Sequence, residues 1–528
     1  MISLLHDSIF RQAALTPEAT ALLFKQDSLN YQSLGEAVIR CAAQFNRAGL
    51  SPNDRVAIYL PKQFETVISL FATSLAGGVF VPVNPGLKPR QVAHILTDSG
   101  AKFLITAKAR LQQLQEELAH CPALQQIISV DGLPESGASQ VELTGWEEFN
   151  ASAPDNSVFP ERIDADLAAI LYTSGSTGKP KGVVLSHRNM VTGAKSVSSY
   201  LKNTSQDRLL AVLPFSFDYG LSQLTTAFQV GASVVLMDYL LPRDVIKAIS
   251  KHRVTGLAAV PPLWNQLAGL AWPEQTDHAL RYITNSGGAM PQATLNKLRA
   301  ALPQTEVFLM YGLTEAFRST FLDPGQLDKR PTSMGKAIPS AQILVVRPDG
   351  SECEPEEPGE LVHRGALVAQ GYWNDPAKTA ERFKPAPGQP AQLPNPEIAV
   401  WSGDQVKKDS EGYLYFITRQ DEMIKTSGYR VSPTEIEEEL YNSGLVVEVI
   451  AMGLPHPMLG QGIVVAAQAN EQVDEADIIR YCQQNLPNYM VPQKVLLFDA
   501  LPRNPNGKID RNGIKQMLDQ NMFTEAAQ

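Results

Sequence analysis

The sequence predicts an α/β protein: a large multi-subdomain N-terminal domain of layered sheets and helices, followed by a small α+β C-terminal domain. Three observations lead there. The 528 residues are too many for one ordinary core, so two or more domains are expected. Strand-like and helix-like stretches alternate through the first four hundred residues, the pattern of layered, largely parallel sheets. A separate group of helix and strand signals follows a charge-rich stretch near Arg419.

Taken in order, Arg55 to Leu60 (RVAIYL) reads as a buried strand, Phe64 to Leu75 as a helix and Val79 to Val83 as the next strand. Thr294 to Leu302 and then Val307 to Tyr311 repeat the helix–strand order. Ligand sites in such sheets lie beyond the carboxyl ends of the strands. Lys384 to Pro396, rich in proline and polar residues, reads as a surface loop. Tyr413 to Ile417 is strand-like, and a boundary falls between Thr418 and Asp421. Beyond it, Ser432 can cap a helix, Pro433 suits its first position and Glu435 completes a capping box. Ile436 and Leu440 give that helix an apolar stripe. The expected division is 1–419 and 420–528, the second piece being of ordinary domain size. No solenoid-type repeat is present.

Composition excludes some classes. The chain is 44% hydrophobic and 19% charged, ordinary for a globular protein. A formal net charge of -10 argues against nucleic-acid binding and against docking on an anionic membrane. Cys41, Cys121, Cys353 and Cys482 are scattered without a metal-ligand spacing, as expected for reduced cysteines of a cytoplasmic protein. The N-terminus lacks the basic start and apolar run of a signal peptide. Val67 to Val83 is apolar, but Ser69, Thr73, Ser74, Gly77, Gly78 and Pro82 interrupt it, so it reads as helix then strand rather than a membrane span.

The densest chemical signal is LYTSGSTGKPKGVVLSHRNM, Leu171 to Met190. Thr173, Ser174, Gly175, Ser176, Thr177, Gly178, Lys179 and Lys181 offer hydroxyls, close-approaching backbone N–H groups and positive charge, which suit phosphate oxygens. A strand, this loop and a helix beginning near Ser186 would form a phosphate site. It is not the Walker pattern, because Gly175 is misplaced relative to Gly178-Lys179 and Pro180 follows.

Other stretches allow a plain and a chemical reading. Tyr311-Gly312-Leu313-Thr314-Glu315 either starts a helix or offers an aromatic face, a phosphate-binding hydroxyl and a metal-binding carboxylate. Ser286 to Pro291, containing Gly287, Gly288 and Ala289, is a turn or a pocket wall. Asp404 sits at the tip of a turn or accepts from ribose hydroxyls. Arg419 to Arg430 reads from its residues as a solvated linker, and Lys508 in Pro505 to Arg511 as a surface lysine on a tight turn.

In this order, the motifs resemble those of the adenylate-forming superfamily: acyl-CoA synthetases, adenylation domains of nonribosomal peptide synthetases, and luciferases. The resemblance spans roughly Leu29 to Arg511. Among stand-alone groups, the chain is similar to prolyl-carrier-protein ligases and exosortase-associated acyl-CoA ligases. The resemblance implies ATP and Mg²⁺ as partners in the chemistry. It gives Thr314 the α-phosphate and Glu315 the metal. The loop Gly287 to Ala289 lines the adenine and carboxylate pocket, Asp404 takes the ribose, and Arg419 the ribose and phosphate. Asp421 is then the pivot of a mobile small domain, Lys425 to Gly428 enter the site after rotation, and Lys508 bridges carboxylate and ATP. A non-catalytic scaffold on the same fold is disfavoured, since Thr314, Glu315, Asp404, Arg419 and Lys508 are all present.

Substrate choice turns on LPFSFDYGLSQL, Leu213 to Leu224. Phe217-Asp218 stands where fatty-acyl members often carry Phe-His, and in amino-acid-activating members the aspartate binds the substrate amine. An anionic Asp218 in an apolar pocket needs a cation partner, which an amine would supply. Alternatively Asp218 caps the helix beginning at Tyr219. Phe217, Tyr219, Val260, Pro261, Leu263, Trp264, Gly287 and Met310 suit a compact apolar group. The favoured expectation is therefore a small amino acid such as L-proline, loaded on a separate carrier protein. The alternative is an acyl-CoA synthetase for a fatty or aromatic acid. In both, the thiol acceptor, carrier protein or CoA, comes from outside the chain.

Overall fold

A computed structural model describes residues 2–134, 141–151, 158–173, 180–274, 278–390, 392–419, 422–426, 429–456 and 459–518. Two parallel-cored sheets make the body of the large domain. One runs, strand beside strand, Glu142–Gly145, Gln126–Ser129, Phe103–Thr106, Arg55–Tyr59, Val79–Pro82, Leu167–Thr173 and Lys181–Ser186, with only the last pair antiparallel. The other holds six parallel strands: Glu306–Tyr311, Tyr282–Asn285, Gly256–Ala259, Arg208–Ala211, Ser233–Leu236 and Thr20–Phe24. Antiparallel strands finish both of its edges. Helices Tyr31–Arg47, Phe64–Leu75, His187–Tyr200 and Asp218–Val230 lie in this body, and one core cluster joins their apolar residues to both sheets. Strands such as Val79–Pro82 and Ser233–Leu236 are buried along their whole length, which is why they carry apolar runs rather than alternation.

A third, antiparallel sheet, Ala341–Val346, Gly359–Gly365, Ile398–Lys408 and Phe383–Pro385, is completed by Leu414–Arg419 beside Ile398–Lys408. The next described strand, Ile424–Thr426, belongs to another sheet with Tyr429–Val431, Gly460–Ala469, Val446–His456 and Lys494–Leu497. Helices Pro433–Ser443, Glu475–Asn485 and Arg511–Met517 complete this small α+β unit. It is docked: Pro433–Ser443 packs against Gln292–Ala301, and Val446–His456 against Pro261–Ala268. All four cysteines are free and buried. Among the described residues no helix is long and apolar enough to cross a membrane.

Four local expectations are corrected. The glycine-rich loop is not followed directly by a helix. It joins antiparallel strands Leu167–Thr173 and Lys181–Ser186, and the helix capped by Ser186 starts at the far end of the second strand. Asp404 lies within the strand Ile398–Lys408 rather than at a turn tip: Gly403, with φ +72°, falls in an irregularity of the pairing with Gly359–Gly365, and the strand continues past it. Ser432 precedes the helix Pro433–Ser443 but makes no side-chain cap; its hydroxyl donates to the Ile417 carbonyl at 2.6 Å and ties the helix to the large domain instead. The stretch Lys384 to Pro396 begins as strand, Phe383–Pro385.

Candidate active site

The site forms where the carboxyl ends of Tyr282–Asn285 and Glu306–Tyr311 meet the start of Asp218–Val230, the strand pair carrying Asp404 and Arg419, and the turn carrying Lys508. Tyr311 ends its strand and donates its hydroxyl to Asp404 Oδ2, which fixes the ring's edge. Asp404 and Arg419 are cross-strand partners, with Arg419 Nε 3.2 Å from Asp404 Oδ1. Burial pushes the Asp404 carboxyl above its ordinary 3.8, while Arg419 and Tyr311 hold it back. Asp404 Oδ1 and Asn285 Oδ1 are buried acceptors that receive no hydrogen bond among the described residues. Asn285 Oδ1 is thus open to an amine donor such as adenine carries, and Asp404 Oδ1, ion-paired to Arg419, can also accept from a ribose hydroxyl. Asn285 Nδ2 meanwhile holds the Gly288 carbonyl at 2.9 Å and shapes the turn in which Gly287 has φ +82° and Gly288 and Ala289 are exposed.

Thr314 opens a single 3₁₀ turn after Gly312. Gly312 is needed by close approach: a Cβ there would stand 3.2 Å from Arg318 Cα. The Glu315 carboxylate accepts from the Tyr372 hydroxyl at 2.6 Å, and Lys181 Nζ lies 5.5 Å from the centre of that ring. Through Tyr372, Glu315 thus lies on the side of Lys181, whose register partner is Thr173. Ser174, Gly175, Ser176, Thr177, Gly178 and Lys179 lie outside the described residues, as do Asp421 and Gly428, and Lys425 is described only as backbone in Ile424–Thr426. A partly exposed, hydrogen-bonded carboxylate beside phosphate-binding groups fits Mg²⁺, which keeps most of its oxygen ligands from water and phosphate.

Lys508 is docked. Its Nζ sits 4.9 Å from the centre of the Phe217 ring, and its Cε approaches Gly287 so closely that a Cβ there would stand 2.7 Å away. Burial lowers its pKa below the ordinary 10.5, opposed chiefly by Asp218. The turn is held by the Asn504 side chain, which accepts from Asn506 N and Lys508 N, and by Gly507 at φ +81°. Arg503 braces it, donating to Gly507 O and to both oxygens of buried Glu448. From the large domain, Asn84 Nδ2 donates to Pro505 O at 2.6 Å and to Asn506 Oδ1 at 3.3 Å. A cavity of about 210 Å³ borders this contact, walled in part by Asn84, Phe215, Ser216 and Lys62.

Asp218 is the first residue of its helix and makes no cap there. It is buried, at 3% exposure, and both of its oxygens are engaged. Thr314 Oγ1 donates to Oδ1 at 2.9 Å, and Arg318 Nη1 donates to Oδ2 at 2.8 Å. Arg318, at 1% exposure, lies over the Tyr219 ring at 4.5 Å, and the Tyr219 hydroxyl meets Thr284 Oγ1 at 2.5 Å. Phe217, Val260, Gly287 and Lys508 stand together, with Pro261 against Gly288. Trp264 and Met310 are set deeper. The Trp264 indole donates to Ala259 O and Thr284 O, and Met310 Sδ accepts from Tyr200. Sequence reasoning missed Arg318, Asn84 and Tyr372, none of which stands in a local pattern that marks it.

Comparison with known proteins gives the family. Residues 9–373 match the AMP-binding enzyme family, and residues 435–508 match the AMP-binding enzyme C-terminal domain. The chain belongs to this family and is an adenylate-forming ligase. It is 30% identical to the L-proline–[L-prolyl-carrier protein] ligase of Pseudomonas fluorescens, over 98% of this chain and all of that one. It is equally 30% identical to the 2-succinylbenzoate–CoA ligase of Bacillus subtilis, over 96% and 97%. A match of 30% to a linear gramicidin synthase of Brevibacillus parabrevis takes in 97% of this chain, which spans only 10% of the length of that protein. Among solved structures, ATP-bound MatB from Rhodopseudomonas palustris superposes with a TM-score of 0.85 at 25% identity, over 98% and 99% of the two chains. The Bacillus subtilis o-succinylbenzoate CoA synthetase with ATP and magnesium gives 0.82 at 29%, over 96% and 99%. Adenylate-forming enzymes use ATP with Mg²⁺.

Proposed function

We propose that this chain activates a small carboxylic acid in the cytoplasm as an acyl adenylate and passes the acyl group to the phosphopantetheine thiol of an external acceptor. The observation that carries the reading is the placement of Lys508 against Phe217 and Gly287, on the acyl side of the Tyr311–Asp404 nucleotide position. There its ammonium can lie between a carboxylate and the α-phosphate. A carboxylate oxygen attacks the α-phosphorus, the bond to the bridging oxygen breaks, and pyrophosphate leaves. The site's share of the work is orientation and charge stabilisation: Lys508 and Thr314 donate to the oxygens that gain charge, Arg419 and Asp404 hold the nucleoside. Mg²⁺, held by Glu315, would offset the charge on the leaving pyrophosphate. A thiol then attacks the acyl carbon and AMP leaves. Lys508 serves only the first step, so the small domain turns on a hinge around Asp421, bringing Lys425 to Gly428 to the site.

For the acid there are two readings. L-proline on a carrier protein is supported by the prolyl-carrier-protein ligase relative and by a buried Asp218, the residue suited to hold an amine. An acid without an amine, joined to CoA, is supported by the CoA-ligase relatives and by Arg318, which already fills the place of Asp218's cation. The geometry favours the second. ATP–pyrophosphate exchange against amino acids and against fatty and aromatic acids tests the pair, and the product thioester with CoA or a carrier protein identifies the acceptor. The expected result is exchange with non-amino acids; exchange with proline alone would refute that choice.

A further inference from the structure

On the acyl side Arg318 and Asp218 already neutralise one another, and Lys508 is left for the substrate. Lys508 and Arg318 are positive and Asp218 is negative. The two remaining charged neighbours are assigned elsewhere: Arg419 faces Asp404, and Glu315 faces Tyr372 at the phosphate end. With Lys508 shared by the substrate carboxylate and the α-phosphate, the Arg318–Asp218 pair is neutral as it stands. An added ammonium would leave a net positive charge in a buried place, beside a guanidinium 2.8 Å from the carboxylate it would need. Arg318 is also incompletely satisfied. Its Nη1 donates to Asp218 and to Phe317 O, yet Nε and Nη2, both buried, have no hydrogen-bond partner among the described residues. Such donors are costly to leave unmade, so a site that keeps two of them gains most from a ligand that supplies an oxygen.

Resting on the ligase reading above, we infer that Arg318 is the specificity-determining residue of the acyl pocket: it stands in for a substrate ammonium on Asp218, and its Nε and Nη2 select a carboxylate whose remaining substituent is uncharged and bears an oxygen acceptor. The substrate class is a compact hydroxy, keto or ether acid rather than an amino acid. Arg318 also fixes Asp218 so that Asp218 Oδ1 receives Thr314, which couples the acyl pocket to the phosphate hydroxyl.

The test is ATP–pyrophosphate exchange on matched acids that differ at one atom or group. Tetrahydrofuran-2-carboxylate, cyclopentanecarboxylate and L-proline form one set; 2-hydroxyisovalerate, isovalerate and L-valine another; phenyllactate, phenylpropionate and L-phenylalanine a third. The wild-type chain is expected to favour the oxygen member over the amine member by about 100-fold or more, the size of effect that an unbalanced buried charge produces. Arg318→Met uncovers Asp218 and is expected to reverse that order. Asp218→Asn with Arg318→Met removes both charges and is expected to abolish the gained amine preference. If Arg318→Met does not fold, the wild-type order and the charge-free double variant still decide. A wild-type preference for the amine member overturns this inference and leaves the ligase reading standing. Absence of exchange with every acid, in a folded protein, overturns the ligase reading and this inference with it.

Discussion

Asn84→Ala should slow adenylate formation while sparing thioester formation. Asn84 lies 421 residues before Pro505, yet its Nδ2 donates to Pro505 O at 2.6 Å and more weakly to Asn506 Oδ1 at 3.3 Å. Truncation removes one good hydrogen bond and one marginal one. Pro505 is exposed, so water can replace the lost donor at its carbonyl. The expected loss is therefore about 1 to 2 kcal/mol, roughly a 5- to 30-fold shift from docked to undocked small domain. Asn84 Oδ1 also accepts from Gly86 N at 2.8 Å, a local contact whose loss would act on stability rather than on docking. Asn84→Asp separates the two: it keeps that acceptor and sets a carboxylate against two oxygens, so it should undock more strongly than alanine. Single-turnover rates measured from ATP and acid, and separately from supplied adenylate and thiol, give the answer. Equal losses in both half-reactions, or no loss in either, would show that Asn84 does not hold the lysine turn.

Lys508→Ala should abolish adenylate formation and leave thioester formation from a supplied adenylate largely intact; equal loss of both would remove the role given to Lys508. Gly287→Ala should act on the same step, because a Cβ would stand 2.7 Å from Lys508 Cε and φ +82° strains any side chain, so a roughly 10-fold loss in the first half-reaction is expected with little change in melting temperature. The first half-reaction should fall as pH rises through a value below 10.5, since burial lowers the Lys508 pKa and the ammonium is the working form. Lys508→Arg should move that alkaline limb out of range. In the other direction, KM for ATP should rise as pH falls through a value above 3.8, because burial raises the Asp404 pKa and protonation removes its charge from ribose. Asp404→Asn should weaken ATP binding and erase that acidic limb.

The sequence was informative where chemistry is local. The helix Phe64–Leu75 and the strands around it follow from apolar runs and their spacing. The nucleotide motifs are contiguous, so Tyr311, Thr314 and Glu315 could be grouped before any fold was known. What local patterns could not supply is pairing across the chain. Arg318 meets Asp218 over 100 residues, and Tyr372 meets Glu315 over 57. The expectation that Asp218 needs a cation was physically sound; nothing in its neighbourhood of sequence says that the chain itself provides one. The capping prediction at Ser432 missed for a related reason. A serine hydroxyl can satisfy a helix end or a distant carbonyl, and here Ile417 O, 15 residues back, receives it. Trp264 reads as a pocket residue from its apolar surroundings, but its N–H is committed to two strand-end carbonyls.

The docked lysine carries a consequence for the order of events. Moving Lys508 out of water beside Phe217 opposes docking, which is the meaning of its lowered pKa. Asn84 and the packing of Pro433–Ser443 on Gln292–Ala301 favour docking. A bound carboxylate and α-phosphate would restore to Lys508 the polar partners it gave up, so they should tighten the docked state by the same factor that docking tightens them. Once the carboxylate has become an ester and pyrophosphate has left, much of that compensation goes, while the desolvation cost of Lys508 remains. On the proposed two-step reading, release of the small domain for the thiol step should therefore follow from the chemistry of the first step.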